Sequence, residues 1–422
     1  MKKSLLAVAF LLVCNSFSQA EEWRNWRGPT FNGSTPEKKL PAEFSKTENV
    51  AWVVDLPGNS AATPIVCGDH VFISSVNKAK DTVDAMAFDR KTGELLWQYD
   101  VAKGVSKDTR STYSAPSPTT DGETVVFFYG NGEMVAYDFG GQQRWKKNLG
   151  PFAFGWTFST SPVIFEGTMY MQILQRGEGA SVILGMEPKT GNELFKVVRP
   201  SKAQAESLES FNTPMPYEFN GRKELLVAGG DSLSGHDLKT GKELWQWGTW
   251  NPSRKGDWRL VPSPIAGDGI ILVCAPKRDP IYAIKAGGTG VLGDDSIAWV
   301  SREAREVSSD VPTPAFYDGD FFVLSDVRNA LARVEPKTGK VKWQVTTPGR
   351  KKYEASPLAA DGKVYIMNFD GDIGVFNAED GKELRVISME GKEIDGMVRS
   401  SIAVAQGQLF IRTTNKLYCI GK

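Results

Sequence analysis

The sequence predicts an all-β fold: an eight-bladed β-propeller of four-stranded antiparallel blades, its ring closed by the N-terminal strand. Three observations carry this. One phrase recurs along the chain. Its closing aromatics stand at 97, 145, 195, 245, 299 and 343, which is 44 to 54 residues apart. An outer-strand phrase near the N-terminus has no strands before it, and the last repeat lacks one.

The phrase begins with Ser-Pro or Thr-Pro. It continues through short apolar strands bounded by Gly turns to an acidic residue, Lys-Thr-Gly and an aromatic. Thr63-Pro64 leads to Asp89, Gly93 and Trp97, and Ser117-Pro118 to Asp138, Gly141 and Trp145. Ser161-Pro162 leads to Glu187, Gly191 and Phe195, and Thr213-Pro214 to Asp237, Gly241 and Trp245. Ser263-Pro264 leads to a degenerate Lys285-Ala286-Gly287-Gly288 and then Trp299. Thr313-Pro314 leads to Glu335, Gly339 and Trp343, and Ser356-Pro357 to Asp380, Gly381 and Leu384. Ser400-Ser401 opens an eighth unit that stops before any Trp. A period of 40 to 50 residues in short alternating strands is the signature of propeller blades. Helical repeats of that length need apolar residues at 3.6 spacing, whereas segments such as Thr124–Phe128 are β-rich and bounded by turns.

The Gly of Lys-Thr-Gly sits in a turn that needs φ > 0. The aromatic after it is read as a structural residue of the outermost strand, buried against the neighbouring blade. That set is Trp52, Trp97, Trp145, Phe195, Trp245, Trp299 and Trp343. Trp52 belongs to the orphan phrase over residues 49–56, which is expected to complete the last blade. Closure removes an exposed sheet edge.

The domain reading follows. Residues 1–20 form a signal peptide: Lys2-Lys3, an apolar run from Leu5 to Val13, and a small-residue cleavage site after Ala20. The run is too short to span a bilayer. Val13 before Cys14 disfavours a lipoprotein anchor, which wants a small residue there. Residues 21–48 are a lead-in, whose Trp23, Trp26 and Arg27-Gly28-Pro29 are expected to pack on the last blade. Residues 49–422 are a single propeller, expected to be a monomer located in the periplasm or secreted.

Composition excludes several functions. Lys+Arg and Asp+Glu both number 50, so there is no basic surface for nucleic acid. Two His are too few for most zinc or copper sites. Cys67, Cys274 and Cys419 have neither metal-site nor redox-motif spacing. No metal, catalytic or cofactor-binding residue is assigned. Neither His lies in a nucleophile-elbow context, and no Gly-rich turn precedes a helix that could cradle phosphate.

Asp-x-Lys-Thr-Gly-x-x-x-Trp at 89–97 and 237–245 resembles the PQQ-like β-propeller repeat, an architecture akin to WD40 repeats. The resemblance covers about residues 50 to 420. Trp26-Arg27-Gly28-Pro29 followed by Gly33 looks like the lead-in of exported PQQ-like repeat proteins. The layout is similar to BamB-like exported propeller scaffold proteins. This implies a non-catalytic scaffold that binds an envelope or secreted protein. The resemblance also offers PQQ with calcium at the axis, as in quinoprotein dehydrogenases. The sequence lacks their vicinal Cys pair and their long insertions, so no cofactor is expected. A PQQ-dependent dehydrogenase, another small-molecule enzyme in the axial funnel, and a carbohydrate-binding propeller stand as alternatives.

The loops before each Ser/Thr-Pro should rim one mouth of the axis. They carry the candidate partner-binding residues Tyr113, Trp156, Trp250, Trp258, Arg259, Asp310, Tyr353, Glu354 and Arg399. Aromatics and Arg on loops suit protein contacts.

Overall fold

Each repeat folds into one sheet whose innermost strand starts at its Ser/Thr-Pro. The computed structural model describes residues 22–177, 179–389 and 397–421. The signal-peptide reading, with Cys14, lies outside the described residues. Those residues hold eight sheets and no α-helix, only two short 3-10 turns. No helix among them is long and apolar enough to cross a membrane.

Blade 1 runs outward through Ile65–Cys67, His70–Asn77, Thr82–Asp89 and Leu95–Lys103. Blades 2 to 7 repeat this antiparallel order. Blade 8 is composite: Ala403–Ala405, Gln408–Arg412 and Lys416–Ile420 are completed by Val50–Asp55 from the other end of the chain. Trp52 opposes Cys419 in that closing ladder, and Asp55 opposes Lys416.

At the axis the repeat's opening residue explains itself. The innermost strands are only two or three residues long in blades 1, 2, 3, 5, 6, 7 and 8. The N–H that precedes each one has no sheet partner. The Thr63 N–H instead donates to Ser117 Oγ of the next blade. Ser117 donates in turn to Ser161, Ser161 to Thr213, Thr213 to Ser263, and Ser263 to Thr313. Thr313 donates to Ser356, Ser356 to Ser401, and Ser401 to Thr63 Oγ1. These eight bonds, 2.9 to 3.2 Å long, close on themselves. Pro follows in seven of the eight units: it fixes φ and brings no further N–H to satisfy.

Further out, each outer-strand aromatic lies flat on the turn glycine of the next blade. A Cβ built on Gly93 would stand 2.8 Å from Trp52, and one on Gly339 would stand 2.5 Å from Trp299. The turn therefore needs glycine twice over, for φ near +75° and for the ring above it. The Trp52 indole N–H also donates to Arg90 O at 2.7 Å, and Trp145 to Pro188 O at 2.7 Å.

Two seams depart from this pattern, and they are the two degenerate units. Blade 5 has no Lys-Thr-Gly turn for Trp245. An inserted strand, Gly290–Leu292, instead pairs in parallel with Glu243–Trp247, so blade 4 has five strands rather than four. Trp245 is fully buried, and its N–H donates to Glu224 Oε2 at 2.8 Å. Between blades 7 and 8, Leu384 is exposed and the seam is covered by the lead-in. There Leu40 and Phe44 are buried with Ile387, and Tyr365 O–H donates to Pro41 O at 3.0 Å.

The lead-in corrects the expectation that it packs on the last blade alone. Trp23 pairs with Val66 of blade 1, and Thr120 of blade 2 donates to Arg24 O. Asn25 Oδ1 accepts from Ile164 of blade 3 at 3.0 Å. The Phe316 N–H of blade 6 donates to Asn32 O, and that of Ala359 in blade 7 to Gly33 O. Glu37 accepts from Gln406 and Gly407 of blade 8. The segment thus crosses one whole mouth of the ring. At its centre Arg27 is buried and donates to Pro357 O at 3.0 Å and Pro314 O at 2.9 Å. Burial lowers its pKa to about 9, which still leaves it charged at neutral pH.

Trp245→Ala is expected to cost about 3–5 kcal/mol through cavity formation. A denaturant melt losing under about 1 kcal/mol, typical of a surface change, would contradict the packing. A chain starting after Leu56 is expected to be insoluble or markedly less stable. A soluble, monomeric product of unchanged stability would rule out the closing role of Val50–Asp55.

Candidate functional site

With one mouth crossed by the lead-in, the axis becomes a blind funnel. Its cavity of about 280 Å³ is floored by Trp26, ringed by Ser117, Ser161 and Thr213 with their counterparts, and rimmed by the inlet loops that precede each hydroxyl. Polar, paired loops dominate the rim.

A belt of interactions runs from loop to loop around this rim. Trp156 of blade 3 carries the Arg110 guanidinium of blade 2 over its ring, 4.7 Å from the centroid. Arg399 of blade 8 donates to Arg110 O and pairs with Glu354 of blade 7 at 2.8 Å. Glu354 also accepts from Lys352 at 2.9 Å, and Lys352 reaches Asp326 at 3.0 Å. The Asp326 carboxylate accepts the Asp310 N–H of blade 6 at 2.9 Å. Asp310 faces Arg259 of blade 5 through two 3.4 Å contacts, and Arg259 lies 3.7 Å from Glu206 of blade 4. Glu209 of the same loop accepts the Gly155 N–H at 2.9 Å, returning the belt to blade 3. Blade 1, with Asn59-Ser60-Ala61, takes no part in the belt, and the blade 3 inlet contributes an indole and a backbone N–H rather than a charge.

Burial raises the carboxyl pKa of Asp326, and Lys352 beside it opposes the rise. Burial likewise raises Glu209, opposed by the Gly155 N–H and Arg176. Asp310 and Glu354 face the lumen, and both are already bonded to cations.

The nine loop residues named from the sequence separate into three groups. Trp156, Arg259, Asp310, Glu354 and Arg399 line the funnel. Tyr113 and Trp258 do not line it: Tyr113 packs near Gly104, and Trp258, 8% exposed in the same core cluster as Trp250, lies under the Lys255 ammonium at 4.6 Å. Trp250 and Tyr353 are core residues. Trp250 packs on Trp247 and Tyr282, and the Tyr353 O–H donates to Pro348 O at 2.8 Å. The surplus aromatics of these loops fill space between blades. Arg110, Asp326, Glu206 and Glu209 went unread in the sequence. Arg110 had a usable signal: it sits in the inlet loop of blade 2, just ahead of Ser117.

Among the described residues no group of three or more His, Cys, Asp or Glu comes together to hold a metal. Cys67, Cys274 and Cys419 are separate, free and buried. Burial pushes the Cys67 and Cys419 thiols up to about 12, which makes them poor nucleophiles. Neither His lines the funnel. His70 stacks on Phe72. His236 is buried, with Nδ1 3.0 Å from Gly241 O and Nε2 2.8 Å from Ser234 Oγ. A carbonyl can only accept, so Nδ1 carries the proton and Nε2 accepts from the serine.

Comparison with known proteins fits this architecture. The chain matches the family described as outer membrane protein assembly factor BamB over residues 37–156 and 281–421, and it belongs to that family. It is 21% identical over 381 residues to the outer membrane protein assembly factor BamB of Bordetella pertussis, covering 87% of each chain. It is 22% identical over 326 residues to a polyvinylalcohol dehydrogenase of a Pseudomonas species. That match takes in 68% of this chain and 47% of the dehydrogenase, so the chain spans about half the length of that relative. A europium-containing methanol dehydrogenase superposes with a TM-score of 0.67 at 11% identity, covering 94% of this chain and 90% of that one. At such identity the likeness is one of fold.

The buried His236 sets a pH dependence. Desolvation, then the charge of Arg199, pushes its pKa from 6.5 down to about 4. The unfolded chain therefore takes up this proton first. The stability present above pH 6.5 is lost as pH falls toward 4, by about 3 kcal/mol. His236→Gln is expected to flatten that part of the stability profile. An unchanged slope between pH 6.5 and 4 in chemical melts would contradict the assignment.

Proposed function

We propose that this member of the BamB family is an exported, non-catalytic scaffold that holds a protein partner at the cell envelope through the open mouth of its funnel. The observation that carries the reading is the belt. Among the described residues, Asp310, Glu354, Asp326 and Glu209 are each tied to an Arg, a Lys or a backbone N–H, which supports a structural role for these carboxylates. The half-exposed Trp156 stands among cations, the combination that anchors protein interfaces. The family, and the relative from Bordetella pertussis, support an envelope role.

The dehydrogenase relatives motivate a second reading, a quinone at the axis. The side chains present do not fit a calcium-bound quinone. Calcium takes six to eight oxygen ligands, whereas Asp310 and Glu354 are engaged by Arg259, Lys352 and Arg399. Adding PQQ and Ca²⁺ to the purified protein is expected to leave no bound chromophore.

The binding test uses the full mature chain immobilised against envelope extract. Trp156→Ala is expected to reduce capture of a specific protein at least tenfold while leaving the melting temperature unchanged. Undiminished capture by that variant, or a chromophore retained with PQQ, would count against the scaffold.

A further inference from the structure

We propose that the funnel mouth recognises a carboxylate on an acidic loop of the partner, with Arg110 as the primary contact and Arg399 beside it. The inference rests on the scaffold reading and assigns the chemistry of what is bound.

Charge sets the sign of the occupant. Among the described residues the cavity is lined by four cations, Arg110, Arg259, Lys352 and Arg399, against two carboxylates, Asp310 and Glu354, a net of +2. The balancing acids Asp326 and Glu206 do not line it. An anion entering this lumen meets positive charge in a partly enclosed space, where screening is weaker than at an open surface.

Arg110 is the unspent member of the set. Arg259 faces Asp310, Lys352 lies between Asp326 and Glu354, and Arg399 pairs with Glu354. Among the described residues Arg110 has no carboxylate partner. Its guanidinium rests on Trp156, which orients the planar fork; among the described residues no side chain accepts from its N–H donors. A carboxylate matches that fork with two parallel hydrogen bonds. Ser111 adds a hydroxyl beside it.

The path inward favours a loop over a folded surface. A second cavity, of about 370 Å³, lies beside the blade 1 inlet and is lined by Asn59, Lys78 and Asp108. It meets the funnel at Ala61, Arg110, Ser111 and Arg399, which line both. This junction falls at the one inlet that takes no part in the belt. An extended segment crossing it can lower one Asp or Glu side chain onto Arg110. A funnel of about 280 Å³ admits a side chain and its neighbours, not a domain.

The test titrates the full mature chain by calorimetry with acetyl-Ser-Gly-Glu-Gly-Ser-amide, its Gln counterpart, and free glutarate. The Glu peptide is expected to bind at least tenfold more tightly than the Gln peptide and glutarate, with affinity falling as salt rises. Arg110→Ala and Arg110→Gln are each expected to lose at least tenfold with unchanged melting temperatures, and Arg110→Lys to retain part of the affinity. Equal binding of the Glu and Gln peptides, or undiminished binding by both Arg110 variants, overturns the proposal. Glutarate binding as tightly as the Glu peptide overturns the assignment to a loop in favour of a small acid. If the Glu peptide fails to bind while Trp156→Ala still abolishes capture from envelope extract, the carboxylate inference falls and the scaffold reading stands.

Discussion

The ring of eight hydroxyl-to-amide hydrogen bonds at the axis is the constraint on which the rest of this propeller depends. Blades converge there, and their innermost strands have no further strand to pair with. A buried amide left unpaired costs about 1–3 kcal/mol. Handing each one to the next blade's Ser or Thr satisfies all eight without bringing a bulky side chain to the crowded centre. The same bonds fix the angle and height of every blade relative to its neighbours. They thereby place seven inlet loops close enough to form one charged belt.

Away from the axis the blades splay, and larger groups fill the widening gap. An indole on a glycine supplies the contact at most seams, joining a large apolar area to a turn that can accept it. Where the repeat has decayed, other parts of the chain take over. Blade 5 lost its turn and gained the strand at 290–292. Blade 7 ends on Leu384 rather than Trp, and the lead-in covers its seam with Leu40 and Phe44. The ring tolerates sequence decay because its gaps are filled from within the same chain.

The fold was legible because its signals are local. Ser/Thr-Pro, Lys-Thr-Gly and the following aromatic each determine a turn or strand within a few residues. The orphan phrase around Trp52 named its missing partner by the same logic. The funnel was less legible because its parts come from seven loops that have no common phrase. Trp250 and Tyr353 looked like contact residues because they are aromatics on inlet loops, yet they fill interblade space that only the assembled ring defines. Arg110 was passed over because a lone Arg in a polar loop carries no pattern until Trp156 of the next blade lies beneath it. The lead-in was seen as ordered, but its course across the mouth depends on carbonyls of blades 6 and 7 that meet Arg27 only in three dimensions.

The course of the lead-in also bears on mechanics. Val50 and Ile420 oppose one another in the closing ladder, so the two chain ends leave it on the same side. Tension between them would peel that ladder one bond at a time, the weakest way to load a sheet. Residues 23–44 stand ahead of it, bonded to six different blades. A pull on the N-terminal side is spread over the ring before it reaches Val50. The segment that floors the funnel thus doubles as a strain relief for the seam that closes the propeller.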